Sequence, residues 1–144
     1  MAMSSGEPQH NEIQAKAAAA GVDLDSLPGH VSIIMDGNGR WANAKGMMRL
    51  VGHREGYVTL RDVLLNASQL GVEYLTVYAF SVENWRRPDD EVKGLMRLIE
   101  EAARHEPKGL IKNNVQVRVA GRISEVPESL QEALNDLVEQ TRGN

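Results

Sequence analysis

Apolar positions along the chain repeat with two different periods. Val31–Met35 and Tyr74–Phe80 are short apolar runs that read as buried strands. Val115, Val117 and Val119 alternate with Gln116 and Arg118, which predicts a third strand. Leu60, Val63, Leu64, Ala67 and Leu70 recur at helical spacing and predict a helix over His53–Leu70, with Gly71 as its stop. A further helix opens at Pro88, with Asp89, Asp90 and Glu91 in its first turn and Val92, Leu95, Met96, Ile99 and Ala103 as its inner stripe. Another begins near Pro127 and turns Leu130, Ala133, Leu134, Leu137 and Val138 inward. Ahead of these, residues 1–10 read as a disordered tail. Asn11–Ala20 then predicts a short helix, with Asn11 as N-cap, Gln14 three residues on and Gly21 as its end. Residues 23–29 link it to the first strand.

The order strand, helix, strand, helix, strand, helix predicts an α/β fold with a mainly parallel sheet flanked by helices. In such sheets ligands gather beyond the carboxyl ends of the strands. Here the first strand runs into D-G-N-G-R-W and the second into S-V-E-N-W-R-R-P, so both polar clusters fall on one edge. Three strands make a thin sheet, and no strand follows the last helix. The chain therefore reads as truncated at its C-terminus.

Composition narrows the class. The 144 residues suit one domain, and 42% apolar with 25% charged residues is ordinary for a soluble globular protein. No apolar run approaches the roughly 20 residues of a membrane span. Ala17–Ala20 follows no cationic region, which argues against a signal peptide. The absence of cysteine excludes disulfides, thiolate metal sites and a cysteine nucleophile, and it fits the cytoplasm. A net charge of −4 disfavours a general nucleic-acid binder. Yet between Asp36 and Arg61 five basic residues face two acids, a local +3 in a chain otherwise −7. Such a cluster suits a small anionic ligand, with a solvated helix face as the plain alternative.

The candidate chemistry centres on Val31–Trp41, V-S-I-I-M-D-G-N-G-R-W. Asp36 at the strand end, with limited solvent, is a carboxylate in need of a partner: a magnesium ion shared with a phosphate, or the first N–H groups of the next helix. Gly37 and Gly39 either admit a ligand close to the backbone or simply allow a tight turn, and Asn38 tolerates the same dihedrals. The loop is not a Walker motif, for no Gly-Lys-Ser/Thr follows, and Arg40 and Trp41 stand where an EF-hand needs a ligand and a glycine. An aspartate-nucleophile phosphatase would want a second acid where Asn38 stands. Arg49 and His53, four apart, share a helix face, and with Arg40 they would suit a diphosphate. His53 could equally make ordinary hydrogen bonds at a helix start. Trp41 and Trp85 are core residues by default, but each lies in a polar loop, which favours a site wall. Glu83, Asn84, Arg86 and Arg87 divide evenly between surface loop and site.

Taken together, H-V-S-I-I-M-D-G-N-G-R-W-A, G-H-R-E-G and Y-A-F-S-V-E-N-W-R-R-P closely resemble the cis-prenyltransferases of the undecaprenyl diphosphate synthase group. The likeness runs from about Pro28 to the C-terminus, with motifs in matching order and spacing. Residues 1–27 are then a tail and short helix, and 28–144 the N-terminal part of a cis-prenyltransferase catalytic domain. The resemblance implies a magnesium-dependent transferase that condenses isopentenyl diphosphate with an allylic diphosphate, typically farnesyl diphosphate. The product is a cis-polyprenyl diphosphate such as undecaprenyl diphosphate, the cell-wall lipid carrier. Asp36 resembles the catalytic aspartate and metal ligand. Gly37, Asn38, Gly39, Arg40, Arg49 and His53 resemble the allylic-diphosphate cradle, with Trp41 beside it. Asn84 resembles the residue assigned as proton acceptor, with Ser81, Val82, Glu83, Trp85 and Arg87 lining the second motif.

Val82 departs from the serine or threonine usual in the family. The family's R-x-S/G-G-E-x-R-x-S-N-F motif and late glutamate, which serve isopentenyl diphosphate and magnesium, are absent. The resemblance further implies a cytoplasmic enzyme with peripheral membrane contact, a homodimer in its full-length form, and no nucleic-acid partner. The 144-residue chain alone is expected to be inactive and poorly stable. The alternative is a non-catalytic fragment or partner subunit that binds prenyl diphosphates.

Overall fold

A computed structural model describes residues 7–144, with side chains from Glu12 onward. The fold is α/β, with a parallel pair of strands and six α-helices among the described residues. By contacts it divides into two units, residues 1–37 with 55–79, and residues 38–54 with 80–144.

The first unit holds helix α1 (Glu7–Ala19), strands β1 (His30–Ile34) and β2 (Tyr74–Tyr78), and most of α3 (Arg49–Leu70). Helix α1 starts earlier than expected, so Asn11 lies inside it and is not its N-cap. Pro8 sits in the first turn, where a missing N–H costs nothing. Residues 7–10 are thus helical rather than tail, and the tail expected over 1–6 lies outside the described residues. Gly21 ends α1 as expected, at φ +81°, with Val22 N–H bonded to Ala17 O and Gly21 N–H to Ala18 O. Gly71, at φ +99°, closes α3 in the same way through Val72 N–H to Ala67 O. The Gln14 side chain reaches from α1 to Gln69 O on α3 at 3.3 Å.

The strands pair in parallel register from His30 opposite Tyr74 to Ile34 opposite Tyr78. Their carboxyl ends therefore share one edge, as the strand–helix order predicts. The strands are not buried through and through, however. Both alternate exposed and half-buried residues along their length. Val31, Ile33, Leu75 and Val77 point to the half-buried face, whereas Ile34, Tyr74 and Tyr78 are exposed on the other. Ser32 and Thr76 alternate with the half-buried positions, but Ile34, Tyr74 and Tyr78 extend the apolar runs onto the other face, and the described sheet has only two strands to share its burial.

The second unit holds α2 (Asn38–Ala44), the first residues of α3, a 3-10 turn at Val82–Arg86, α4 (Asp89–His105), α5 (Pro107–Lys112) and α6 (Glu128–Thr141). Its core sets Val92 and Met96 of α4 against Leu130 of α6, with Phe80, Ile99, Val126 and Leu134 packed around them. The stripes expected on both helices are the ones that turn inward. Helix α4 stops ahead of Pro107, which lacks the N–H needed to continue it and opens the short α5 instead.

The third expected strand does not form among the described residues. Val115, Val117 and Val119 do turn inward and Gln116 and Arg118 outward, so the alternation is real. The segment is fastened to α6 rather than to a strand. Val117 N–H donates to Thr141 Oγ1 at 3.0 Å, and Asn144 Nδ2 and Gln116 Nε2 bond Val115 O and Arg142 O. No helix among the described residues is long and apolar enough to cross a membrane.

Candidate functional site

Asp36 and Gly37 belong to the first unit, just past β1. Asp36 is exposed rather than sheltered. Its Oδ1 accepts the Gly37 N–H at 2.6 Å. Gly37 adopts φ +90°, a conformation a side chain would strain, so the turn itself demands glycine there.

The remaining expected residues belong to the second unit. Asn38 begins α2, and Gly39 is buried behind it. Gly39 serves a neighbour: a Cβ there would stand 2.6 Å from Cζ of the Arg49 guanidinium. Gly52 of α3 is the counterpart contact, where a Cβ would run into the Asn38 carbonyl and the Ala42 methyl. Helices α2 and α3 thus approach backbone to backbone, and that approach seats Arg49 over the first turn of α2.

Arg49, His53 and Arg87 converge on one carboxylate, Glu91. Its Oε2 accepts from Arg49 Nε at 3.0 Å, its Oε1 accepts from Arg87 Nη1 at 3.0 Å, and His53 Nε2 stands 3.0 Å from Oε1. Glu91 is 8% exposed and the His53 side chain 11%. Burial pushes the Glu91 carboxyl up. Hydrogen bonds from His53 and Arg49 and the charges of Arg49 and Arg87 outweigh that and hold it below its ordinary range. Sequence reasoning placed Arg49, His53 and Arg87 in the site but read Glu91 only as a first-turn acid. The available signal was the Arg87–Glu91 spacing of four, the spacing of a helical ion pair.

The second motif is knit by its own hydrogen bonds. Asn84 Oδ1 accepts the Ser81 N–H at 2.9 Å, which fixes the amide orientation, since a backbone N–H can only donate. The Asn84 Nδ2 donors take no part in that bond. Bonds from the Ser81 hydroxyl and from its own N–H hold the Glu83 carboxyl below its ordinary range. Val82 is exposed and makes no core contact.

Neither tryptophan is a core residue. Trp41 is 41% exposed with Lys45 Nζ 4.2 Å above its ring, and Trp85 is 39% exposed, edge-on to Phe80 at 5.0 Å. Trp85 also lines an open groove of about 700 Å³ beside Val92, Met96, Val126 and Pro127. Arg40 is exposed on α2 and is not among the partners of Glu91.

Among the described residues no three His, Cys, Asp or Glu side chains form a metal-binding group. An all-protein metal cage is therefore not what Asp36 offers. One exposed carboxylate does fit the mode in which magnesium takes one or two protein carboxylates and completes its shell with phosphate oxygens and water.

A parallel strand pair, a helical crossover and a cation-rich helical unit define an α/β protein whose two polar motifs each follow a strand in the chain. The sequence profile of a family described as putative undecaprenyl diphosphate synthase matches residues 34–144, and the chain belongs to that family. It is 50% identical over 119 residues to an isoprenyl transferase of Fusobacterium nucleatum, covering 83% of this chain and 52% of that protein. It is 47% identical over 121 residues to the ditrans,polycis-undecaprenyl-diphosphate synthase ((2E,6E)-farnesyl-diphosphate specific) of Lactiplantibacillus plantarum, covering 84% and 47%. Among solved structures it resembles lavandulyl diphosphate synthase from Lavandula x intermedia, crystallised with dimethylallyl diphosphate. That match has 35% identity and a TM-score of 0.78 over 81% of this chain and 50% of the other. The chain spans about half the length of the curated relatives it matches.

Proposed function

We propose that the chain is the part of an isoprenyl transferase that holds and ionises an allylic diphosphate, in its condensation with isopentenyl diphosphate to a cis-polyprenyl diphosphate. The observation that carries this reading is the convergence of Arg49, His53 and Arg87 at one point. It is supported by the family match and by the diphosphate bound in the related plant enzyme. Farnesyl diphosphate as primer and undecaprenyl diphosphate as product, for the cell-wall carrier, follow the description of the Lactiplantibacillus relative.

Breaking the allylic C–O bond places negative charge on the departing diphosphate. Guanidinium groups already fixed in place stabilise that charge without reorganising as it develops. Arg49 and Arg87 supply fixed guanidinium groups, Arg40 a further cation, and His53 a ring N–H or a positive charge. Asp36 would hold magnesium, which when bound neutralises charge on the leaving group. Asn84 presents its amide donors, so we assign it to orienting diphosphate oxygens rather than to accepting a proton. Trp41 and Trp85 supply apolar surface for the prenyl chain. The longer enzyme is proposed as a homodimer in the cytoplasm, touching the membrane through its lipid product.

A second reading is a non-catalytic prenyl-diphosphate-binding partner subunit, which the same cluster of Arg49, His53 and Arg87 would serve. Calorimetry with farnesyl diphosphate, followed by an assay with labelled isopentenyl diphosphate and magnesium, tests both. The 144-residue chain is expected to bind farnesyl diphosphate with little turnover. Absence of binding at millimolar ligand removes both readings, and Asp36→Ala with unchanged turnover in a full-length relative removes the metal role.

A further inference from the structure

Helix α4 opens with three acids, and they do not behave alike. Asp89 and Asp90 are exposed, as expected of residues that only complement a helix dipole. Glu91 is turned inward and bonded to residues 42 and 38 positions earlier in the chain. A buried carboxylate is costly unless paired, and this one is paired to both arginines and faces the histidine.

We infer that Glu91 is a positioning residue that holds Arg49, His53 and Arg87 as one preformed cationic cluster for the diphosphate; this rests on the allylic-diphosphate reading above. Two guanidinium groups brought together without an anion between them repel. One carboxylate with an oxygen for each removes that repulsion, yet leaves the cluster net positive, because two arginines outnumber one acid. Arg49 uses only its Nε on Glu91, and Arg87 only one Nη, so most of their donors remain to meet phosphate oxygens. The Arg49 guanidinium also packs against Gly39, at the one position where no side chain would push it aside. Preorganised cations of this kind raise affinity because their ordering precedes binding.

The test has two arms on the 144-residue chain. In the first, without ligand, side-chain NMR follows the Arg49 and Arg87 N–H signals, with circular dichroism and thermal melting as the check on folding. Distinct, slowly exchanging signals are expected in the native chain, collapsing to an averaged signal in Glu91→Gln, which sets amide donors against the guanidinium groups. In the second, calorimetry with inorganic diphosphate is expected to show an affinity loss of about tenfold or more in Glu91→Gln. Glu91→Asp, which keeps the charge but shortens its reach, should recover part of it. Where Glu91→Gln does not fold, Glu91→Asp carries both arms and should show weakened arginine signals and a smaller affinity loss.

Arginine signals and diphosphate affinity both unchanged in a folded variant overturn the inference, as does tighter binding, which would make Glu91 a competitor of the ligand. A native chain that shows Glu91-dependent arginine signals but no diphosphate binding overturns the allylic-site reading itself, and with it the purpose assigned to the cluster.

Discussion

Two glycines separate positioning from packing at the level of single residues. At Gly39 the obstacle to a Cβ is the tip of a flexible side chain, the Arg49 guanidinium. Gly39→Ala should therefore fold with a nearly native melting temperature while displacing Arg49, and diphosphate affinity in calorimetry should fall. At Gly52 the obstacle is the Asn38 carbonyl, which cannot step aside. Gly52→Ala should cost about 1–3 kcal/mol by overpacking, read as a lower urea midpoint at unchanged slope. Both residues are visible in the sequence as glycines near a polar loop, but not what each makes room for. Glu91 adds a dependence on pH. Its carboxyl is held below the ordinary glutamate value of 4.5. The stability it contributes is therefore fully present above that value and is lost as pH falls through the lower, folded-state value. Urea unfolding below pH 4.5 should show the native chain losing stability more steeply than Glu91→Gln.

At the scale of elements, local rules worked where the partner was local. Gly21 and Gly71 end their helices through left-handed turns and a six-residue hydrogen bond, and Gly46 and Asn114 close α2 and α5 with the same pattern. The valine alternation at 115–119 was read correctly as to faces and wrongly as to pairing. Period two specifies which side chains turn inward but not what their backbone bonds to. That bond is made by Thr141, fully buried at the end of α6, whose hydroxyl donates to Leu137 O and accepts the Val117 N–H. Thr141→Val keeps the shape and removes the acceptor. It should cost about 1–3 kcal/mol, with faster amide exchange at Val117 as the specific sign.

The whole molecule consists of two contact units, and the chain passes between them at residues 37–38, 54–55 and 79–80. The helical unit is organised around Leu130, 1% exposed, between α4 and α6. Leu130→Ala should cost about 2–5 kcal/mol and lower the helical melting transition in circular dichroism. The chain's own sequence sufficed for its family, because long motifs in matching order and spacing identify it without any fold. It also determined the inward faces of α4 and α6 and two of the helix stops, since these depend on residues within a few positions of one another, whereas Val63, expected on the inner face of α3, is exposed. Only the tertiary structure decided that the strands are covered on one face, that Asp36 is exposed and that no third strand pairs. Only it showed that Arg49, His53 and Arg87 share Glu91. These depend on which distant segments meet, and a contact between residues 42 positions apart leaves no trace in a local pattern.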